Sequence, residues 1–247
     1  MIHYHGTPMT PADDMARAFA TRHAMVSYED PRQIEVCAEI CQSVVLDNGA
    51  FSAWRQGKPY DFAGFAAWAE KWIRHPCVEW AVIPDVIDGD EQQNDALIDT
   101  WALPPAVSVP VYHMHESIDR LVRLAERFPR VALGSSGAYA TVGTDQWWSR
   151  MADMMGAICD EQGRPLVKLH GLRMLDPGVF SKLPLSSADS TNVARNVGID
   201  SAWRQSYAPA SRAMRALTLM ERIERHASAA YWDREAIGAY QNMQLFG

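Results

Sequence analysis

The sequence predicts an α/β fold built as a single (β/α)8 TIM-like barrel. Short apolar runs bounded by turn residues alternate with amphipathic stretches, and that alternation implies parallel strands joined by right-handed helical crossovers. The length of 247 residues matches the roughly 250 typical of such a barrel. Three of the runs also end in a carboxylate: Val44-Val45-Leu46-Asp47, Ala81-Val82-Ile83-Pro84-Asp85 and Leu185-Ser186-Ser187-Ala188-Asp189. Parallel strands ending this way direct their acids into one mouth, the C-terminal face where barrel enzymes keep their catalytic groups.

The predicted strands are Ile2–His5, Ala24–Tyr28, Val44–Asp47, Trp80–Pro84, Val109–His113, Val131–Gly134, Leu166–His170 and Leu185–Ala188. Between them the amphipathic stretches are Pro11–Thr21, Pro31–Cys41, Phe62–Arg74, Gln92–Thr100, Ile118–Phe128, Asp145–Asp160 and a weaker Pro177–Lys182. Pro209–Arg225 and Arg234–Met243 follow the last strand, which places C-terminal helices over 209–244 of a single 1–247 domain. Asp30-Pro31 and Asp176-Pro177 each set an N-cap acid before a proline, and Thr144 stands ready to cap the helix containing Trp147. The first helices are short, which leaves room for an irregular barrel.

A composition of 48% hydrophobic and 21% charged residues is that of a globular protein with ample core. No apolar stretch approaches the roughly 20 residues needed to span a bilayer, and Met1–Pro11 lacks the pattern of a signal peptide. The expected location is therefore the cytoplasm, with no membrane partner. Cys37, Cys41, Cys77 and Cys159 do not form a disulfide framework, and no second Cys pair or nearby His completes a zinc set around Cys37 and Cys41. A net charge of −7 argues against indiscriminate nucleic-acid binding. The balance is nevertheless uneven. Between Arg195 and His226, Arg195, Arg204, Arg212, Arg215, Arg222 and Arg225 face only Asp200, Glu221 and Glu224. That segment reads either as a phosphate-binding surface or as a solvated helix face with pairs such as Glu221–Arg225.

Small residues follow the strand-end acids. Asp47-Asn48-Gly49-Ala50-Phe51-Ser52 is an ordinary tight-turn sequence, but it also allows the backbone to approach a ligand, with Phe51 walling a planar base. Asp85 can accept paired N–H groups from a guanine-like edge, whereas Asp88 and Asp90 look like loop or cap acids. Gly134-Ser135-Ser136 and His170-Gly171 end two further strands with backbone that can contact a flat ligand or simply turn. Asp189 sits among small residues that would let a substrate reach it, and a carboxylate can act as a nucleophile at an anomeric carbon.

In order and position these motifs resemble the tRNA-guanine transglycosylase superfamily, nearest to its phage and bacterial members that insert 7-deazaguanines into DNA. The likeness runs from about Asp47 to Asp189. Asp47-Asn48-Gly49-Ala50-Phe51 is similar to the family's Asp-Ser-Gly-Gly-Phe, and Asp85 falls where the family keeps a base-recognising Asp. Gly134-Ser135-Ser136 stands in for a Gly-Gly-Leu loop, His170-Gly171 resembles the glycine turn of the next strand, and Asp189 takes the nucleophile's place. The resemblance implies a pentosyltransferase that exchanges guanine for a 7-deazaguanine through a covalent aspartyl-glycosyl intermediate. Asp189 and Asp47 would be catalytic; Asp85, Phe51, Gly134, Ser135, Ser136, His170 and Gly171 would bind the base; and Arg195 and Arg204 would contact the nucleic-acid backbone. The family's Cys-x-Cys-x-x-Cys zinc subdomain has no counterpart, and Tyr112-His113-Met114-His115 replaces its base-contacting Gln. DNA is therefore the expected polynucleotide rather than tRNA, in a bacterial cell or phage-infected host, with no cofactor or metal required.

Two other classes compete. His3, His5, His113, His170 and Asp189 resemble the metal set of a metal-dependent amidohydrolase, which activates water at the same barrel mouth. A barrel that binds a modified base without chemistry would need neither Asp47 nor Asp189. Oligomeric state, sequence context and the identity of the deazaguanine are not encoded in any motif.

Overall fold

The computed structural model describes residues 1–199, 203 and 207–233. Arg204 and the predicted helix 234–243 lie outside the described residues. Nine strands form one sheet, all paired in parallel: β1 (Ile2–Gly6), β2 (His23–Ser27), β3 (Ser43–Asp47), β4 (Val78–Val82), β5 (Ser108–Val109), β6 (Val111–His113), β7 (Arg130–Gly134), β8 (Lys168–Gly171) and β9 (Ser187–Ser190). Their order is β5-β4-β3-β2-β1-β9-β8-β7-β6.

The two ends of that order are the halves of one predicted strand, Val109–His113, divided at Pro110. Proline has no N–H to donate, so the ladder breaks there. Its neighbours still pair on both sides: the Val109 carbonyl accepts from Ile83 N at 2.9 Å and the Pro110 carbonyl accepts from Ala132 N at 2.9 Å. Eight strand positions therefore close into a nearly complete barrel, and the irregularity sits at β5/β6 rather than at the short first helices.

Helices alternate with the strands: α1 (Ala12–Phe19), α2 (Ile34–Ile40), α3 (Ala50–Arg55), α4 (Phe62–Trp72), α5 (Glu91–Thr100), α6 (Ile118–Arg127), α7 (Asp145–Ile158), α8 (Pro177–Phe180), α9 (Asn192–Asn196) and α10 (Arg212–Glu224). Asp176 caps α8 by accepting from Gly178 N, Thr144 caps α7 by accepting from Trp147 N, and Asp90 forms a capping box with Gln93 at α5. The expected Asp30 cap is not formed. Helix α2 begins later, behind Gln33, because Asp30 is held by Arg32 and the Gln33 side chain bridges the backbone of Met9. Helix α3 occupies a segment whose sequence reads as a turn, and α9 has no counterpart among the predicted helices.

Side chains from alternate strand positions fill the barrel interior: Tyr4, Met25, Val45, Trp80, Val82, Val109, Val111 and Ala132. Two larger apolar clusters lie between the strands and the helical layer, one around Trp147, Met151 and Phe180, the other around Phe19, Phe65 and Met220. Among the described residues, no helix is long and apolar enough to cross a membrane.

Candidate active site

A cavity of about 160 Å³ opens at the C-terminal mouth, and Asp47, Asp85 and Asp189 all line it. An apolar cavity of about 150 Å³ takes a benzene ring, so this one is of ring-sized volume. The acids reach it from different backbone positions. Asp47 is the last residue of β3, and Asp189 lies inside β9, whose span is shifted two residues beyond the predicted Leu185–Ala188. Strand β4 stops at Val82, two residues before Pro84, so Asp85 stands in the following loop rather than at a strand end.

Asp47 sits in an environment that disfavours its charge. Burial pushes its carboxyl up to about 7, with Asp189 and Asp85 adding repulsion and the nearby Ser27 hydroxyl and Gly49 amide pulling the other way. Asp189 is buried and accepts from the Arg173 backbone N–H through Oδ1 at 2.8 Å. Arg173 has φ 57°, a left-handed conformation that a residue with a Cβ adopts at a cost of about 1–2 kcal/mol, and in that conformation its N–H meets the carboxylate. Below Asp189, His170 donates to or accepts from Ser187 Oγ at 2.9 Å through Nδ1, while its Nε2 lies 3.4 Å from Asp189 Oδ1.

Asp85 is held by a residue whose turn propensity concealed its role. The buried Asn48 amide donates through Nδ2 to Asp85 Oδ1 at 2.6 Å and to the Ile83 carbonyl at 2.8 Å; its Oδ1 accepts from Ala50 N at 2.9 Å. Gly49 supports this clamp with φ 79°, and a Cβ there would come within 2.9 Å of Glu29 N. From the opposite side His113 Nε2 approaches Asp85 Oδ2 at 2.9 Å without the alignment of a hydrogen bond. His113, from the segment Tyr112–His115, also lines the cavity.

Helix α3, opened by Gly49, brings Phe51, Ser52 and Arg55 to the rim. The Phe51 ring walls the cavity, and the Arg173 guanidinium lies 3.6 Å from its centroid. Gly134 and Ser135 line the opposite side, and Trp147 fixes Ser135 by donating Nε1–H to its Oγ at 2.9 Å. Arg195 also lines the cavity from α9, so three exposed arginines, Arg55, Arg173 and Arg195, surround it.

Three residues expected at the base, Ser136, His170 and Gly171, do not line this cavity. Ser136 Oγ is engaged by His115 Nδ1 at 2.8 Å. Gly171 packs into the outer core, where a Cβ would meet Leu185 and Met174 at 2.9 Å. His170 lies one layer below, edge-on to Trp80 and Tyr4. The proposed metal set is dispersed as well. Tyr4 faces the barrel interior, so its neighbours His3 and His5 face outward, where His5 Nε2 pairs with Glu224 Oε1 at 2.9 Å and His3 Nε2 meets the His226 carbonyl at 3.0 Å. These histidines fasten the end of α10 to the barrel. Glu224 is also bound by Arg22, and the ion pairs of that helix seen among the described residues are both made by Glu224. Among the described residues, no group of three His, Cys, Asp or Glu side chains is placed to hold a metal ion. Cys37, Cys41 and Cys77 are free thiols.

Arg173 and Asn48, like Arg55, belong to the site without having been singled out from the sequence. Asn48 carried a signal, since it adjoins a strand-end acid, but its turn propensity explained it equally well. Arg173 carried none; only its backbone conformation identifies it. No family model matches the chain, and no curated protein matches its sequence.

Proposed function

We propose that this barrel is a base-exchange transglycosylase that replaces guanine in a polynucleotide, DNA in preference to tRNA, with a 7-deazaguanine. The observation that carries this reading is that three aspartates in three different environments share one ring-sized cavity. Asp189, with a single backbone donor within the described residues, attacks C1′ of the nucleotide and forms a glycosyl ester. The C1′–N9 bond breaks, its electron pair leaves with guanine, and the base takes up a proton. Asp47, poised to gain and lose a proton near neutral pH, supplies it. The incoming base then gives its N9 proton back to Asp47 and displaces Asp189 from C1′. Two displacements at one carbon retain its configuration.

Asp85, oriented by Asn48, selects the base by accepting its N–H groups, with Gly134 and Ser135 completing the edge. A base that stacks on Phe51 displaces the exposed Arg173 side chain from the ring. The nucleotide must be presented outside a duplex stack, since the cavity lies within the barrel mouth. The arginines around the rim suit a polyanion whose affinity falls as salt rises.

The reading is tested by incubating the protein with labelled 7-deazaguanine and either single-stranded DNA or tRNA. Base exchange and a denaturant-stable protein–nucleic acid adduct are expected with DNA. Asp189→Asn is expected to form no adduct and to lose exchange by about 10⁴-fold or more. Full exchange by that variant would overturn the mechanism, and guanine binding without exchange by the wild type would establish a binding barrel instead.

A further inference from the structure

We propose that the cleft adjoining the active-site cavity is a second base subsite, in which the nucleobase next to the reacting one stacks on the indole of Trp54. This inference rests on the proposed polynucleotide substrate. The cleft has a volume of about 580 Å³ and shares Phe51, Ile87, Ser135 and Arg173 with the first cavity, so a ligand occupying both crosses a common wall.

Trp54 is the feature that needs a partner. It is 48% exposed although it borders this cleft, and it lies three residues after Phe51 on the same face of α3. The two rings are 5.7 Å apart and inclined by 38°, which places two aromatic groups side by side across the junction of the two cavities. His115, which also lines the cleft, is held at both ring nitrogens: Nδ1 engages Ser136 Oγ at 2.8 Å and Nε2 the Gly89 carbonyl at 3.2 Å. With both nitrogens occupied, its ring offers a flat side rather than a polar edge. Gly137 makes room for it, since a Cβ there would stand 2.9 Å from His115 Cβ.

The charge distribution selects a nucleotide over a purely apolar ligand. Arg173 borders both cavities, where the phosphate joining two successive nucleotides would pass, and Arg55 stands at the rim of the first. Asp88, which also lines the cleft, repels a phosphate and so favours its passage beside Arg173. Stacking on an indole accepts any base, so the subsite contributes affinity and placement more than sequence choice.

The test uses a fluorescently labelled single-stranded oligonucleotide carrying one guanine among thymines, with deoxyguanosine monophosphate as the ligand that fills only the first cavity. Trp54→Ala is expected to weaken oligonucleotide binding by about ten-fold and to weaken mononucleotide binding far less, while Trp54→Phe recovers affinity to within about three-fold of wild type. With 2-aminopurine beside the guanine, wild type should quench its emission and Trp54→Ala should not. Equal losses for both ligands, or none for either, would overturn the subsite. If binding depends on Trp54 but the wild type exchanges no base, the subsite stands and the transferase reading falls. If base is exchanged and Trp54→Ala binds the oligonucleotide as wild type does, the subsite falls and the transferase reading stands.

Discussion

Glu116 and Asp189 are both buried carboxylates at the C-terminal mouth of the barrel, one in the loop after β6 and one within β9. Glu116 is enclosed by donors. It accepts from Arg120 Nη1 at 2.6 Å, His113 N at 2.8 Å and Asn94 Nδ2 at 3.0 Å, while its own carbonyl accepts from Tyr112 Oη and Arg150. Asp189 accepts through Oδ1 from the Arg173 amide, and among the described residues its Oδ2 accepts from none. Equal withdrawal from water thus leaves the two carboxylates in opposite states of hydrogen-bond satisfaction. A carboxylate saturated with hydrogen bonds is a structural tie, whereas one with a free oxygen facing a cavity retains its nucleophilic lone pairs. Burial alone therefore does not identify a site; the count of satisfied valences does.

The contrast is most sharply tested through stability. Glu116→Ala strands the buried Arg120 without its closest acid and is expected to lower unfolding free energy by about 3–5 kcal/mol. Asp189→Ala, which removes one accepted hydrogen bond, should cost only about 1 kcal/mol. Urea unfolding of the two variants measures both values, and similar losses would erase the distinction.

Asp47 offers a smaller effect with a defined pH dependence. Its folded-state pKa is raised from the ordinary carboxylate value to about 7, so the native protein holds this proton more tightly than the unfolded chain does. Its contribution to stability consequently declines as pH rises from about 4 towards 7, and the full penalty applies above that range. Asp47→Asn should therefore raise stability at pH 8, on the order of 1–2 kcal/mol after allowance for water entering the cavity, and should raise it less at pH 5. The same variant is expected to lose base exchange, and wild-type exchange should fall above about pH 7 as the acid form is depleted. A pH-independent gain, or none, would show that the carboxyl is not perturbed.

The smallest predicted difference concerns the backbone that orients Asp189. At Arg173 glycine accepts the left-handed conformation without strain, so Arg173→Gly should be more stable than Arg173→Ala by about 1 kcal/mol. Thermal unfolding of the pair checks this, and an advantage for alanine would show that the turn relaxes when the guanidinium is lost.

Much of the scaffold is legible in the amino-acid sequence. The alternation of apolar runs and amphipathic stretches predicts the barrel, and Asp176, Thr144 and Asp90 announce their helix starts through local chemistry. The breaks in that reading have local causes too. Pro110 splits a strand by lacking an N–H, and Arg32 diverts Asp30 from capping. Within the site, the meeting of Asp47, Asp85 and Asp189 follows from their common place after parallel runs. The displacement of Ser136, His170 and Gly171 does not, because it depends on what each meets across the fold: His115 engages Ser136, Trp80 packs against His170, and Leu185 and Met174 close over Gly171.

The sequence by itself determined the repeated α/β pattern and the placing of three acids at one end of it, since both depend on side-chain periodicity and turn chemistry within short segments. Only the tertiary structure decided which polar groups are spent and which remain free. His3 and His5 turn outward because Tyr4 fills the barrel, and Asn48 holds an acid 37 residues away. Glu116 is enclosed by partners from other elements while Asp189 faces the cavity. Those outcomes depend on long-range packing, and hydrogen-bond satisfaction is a property of the assembled neighbourhood rather than of any residue's own segment.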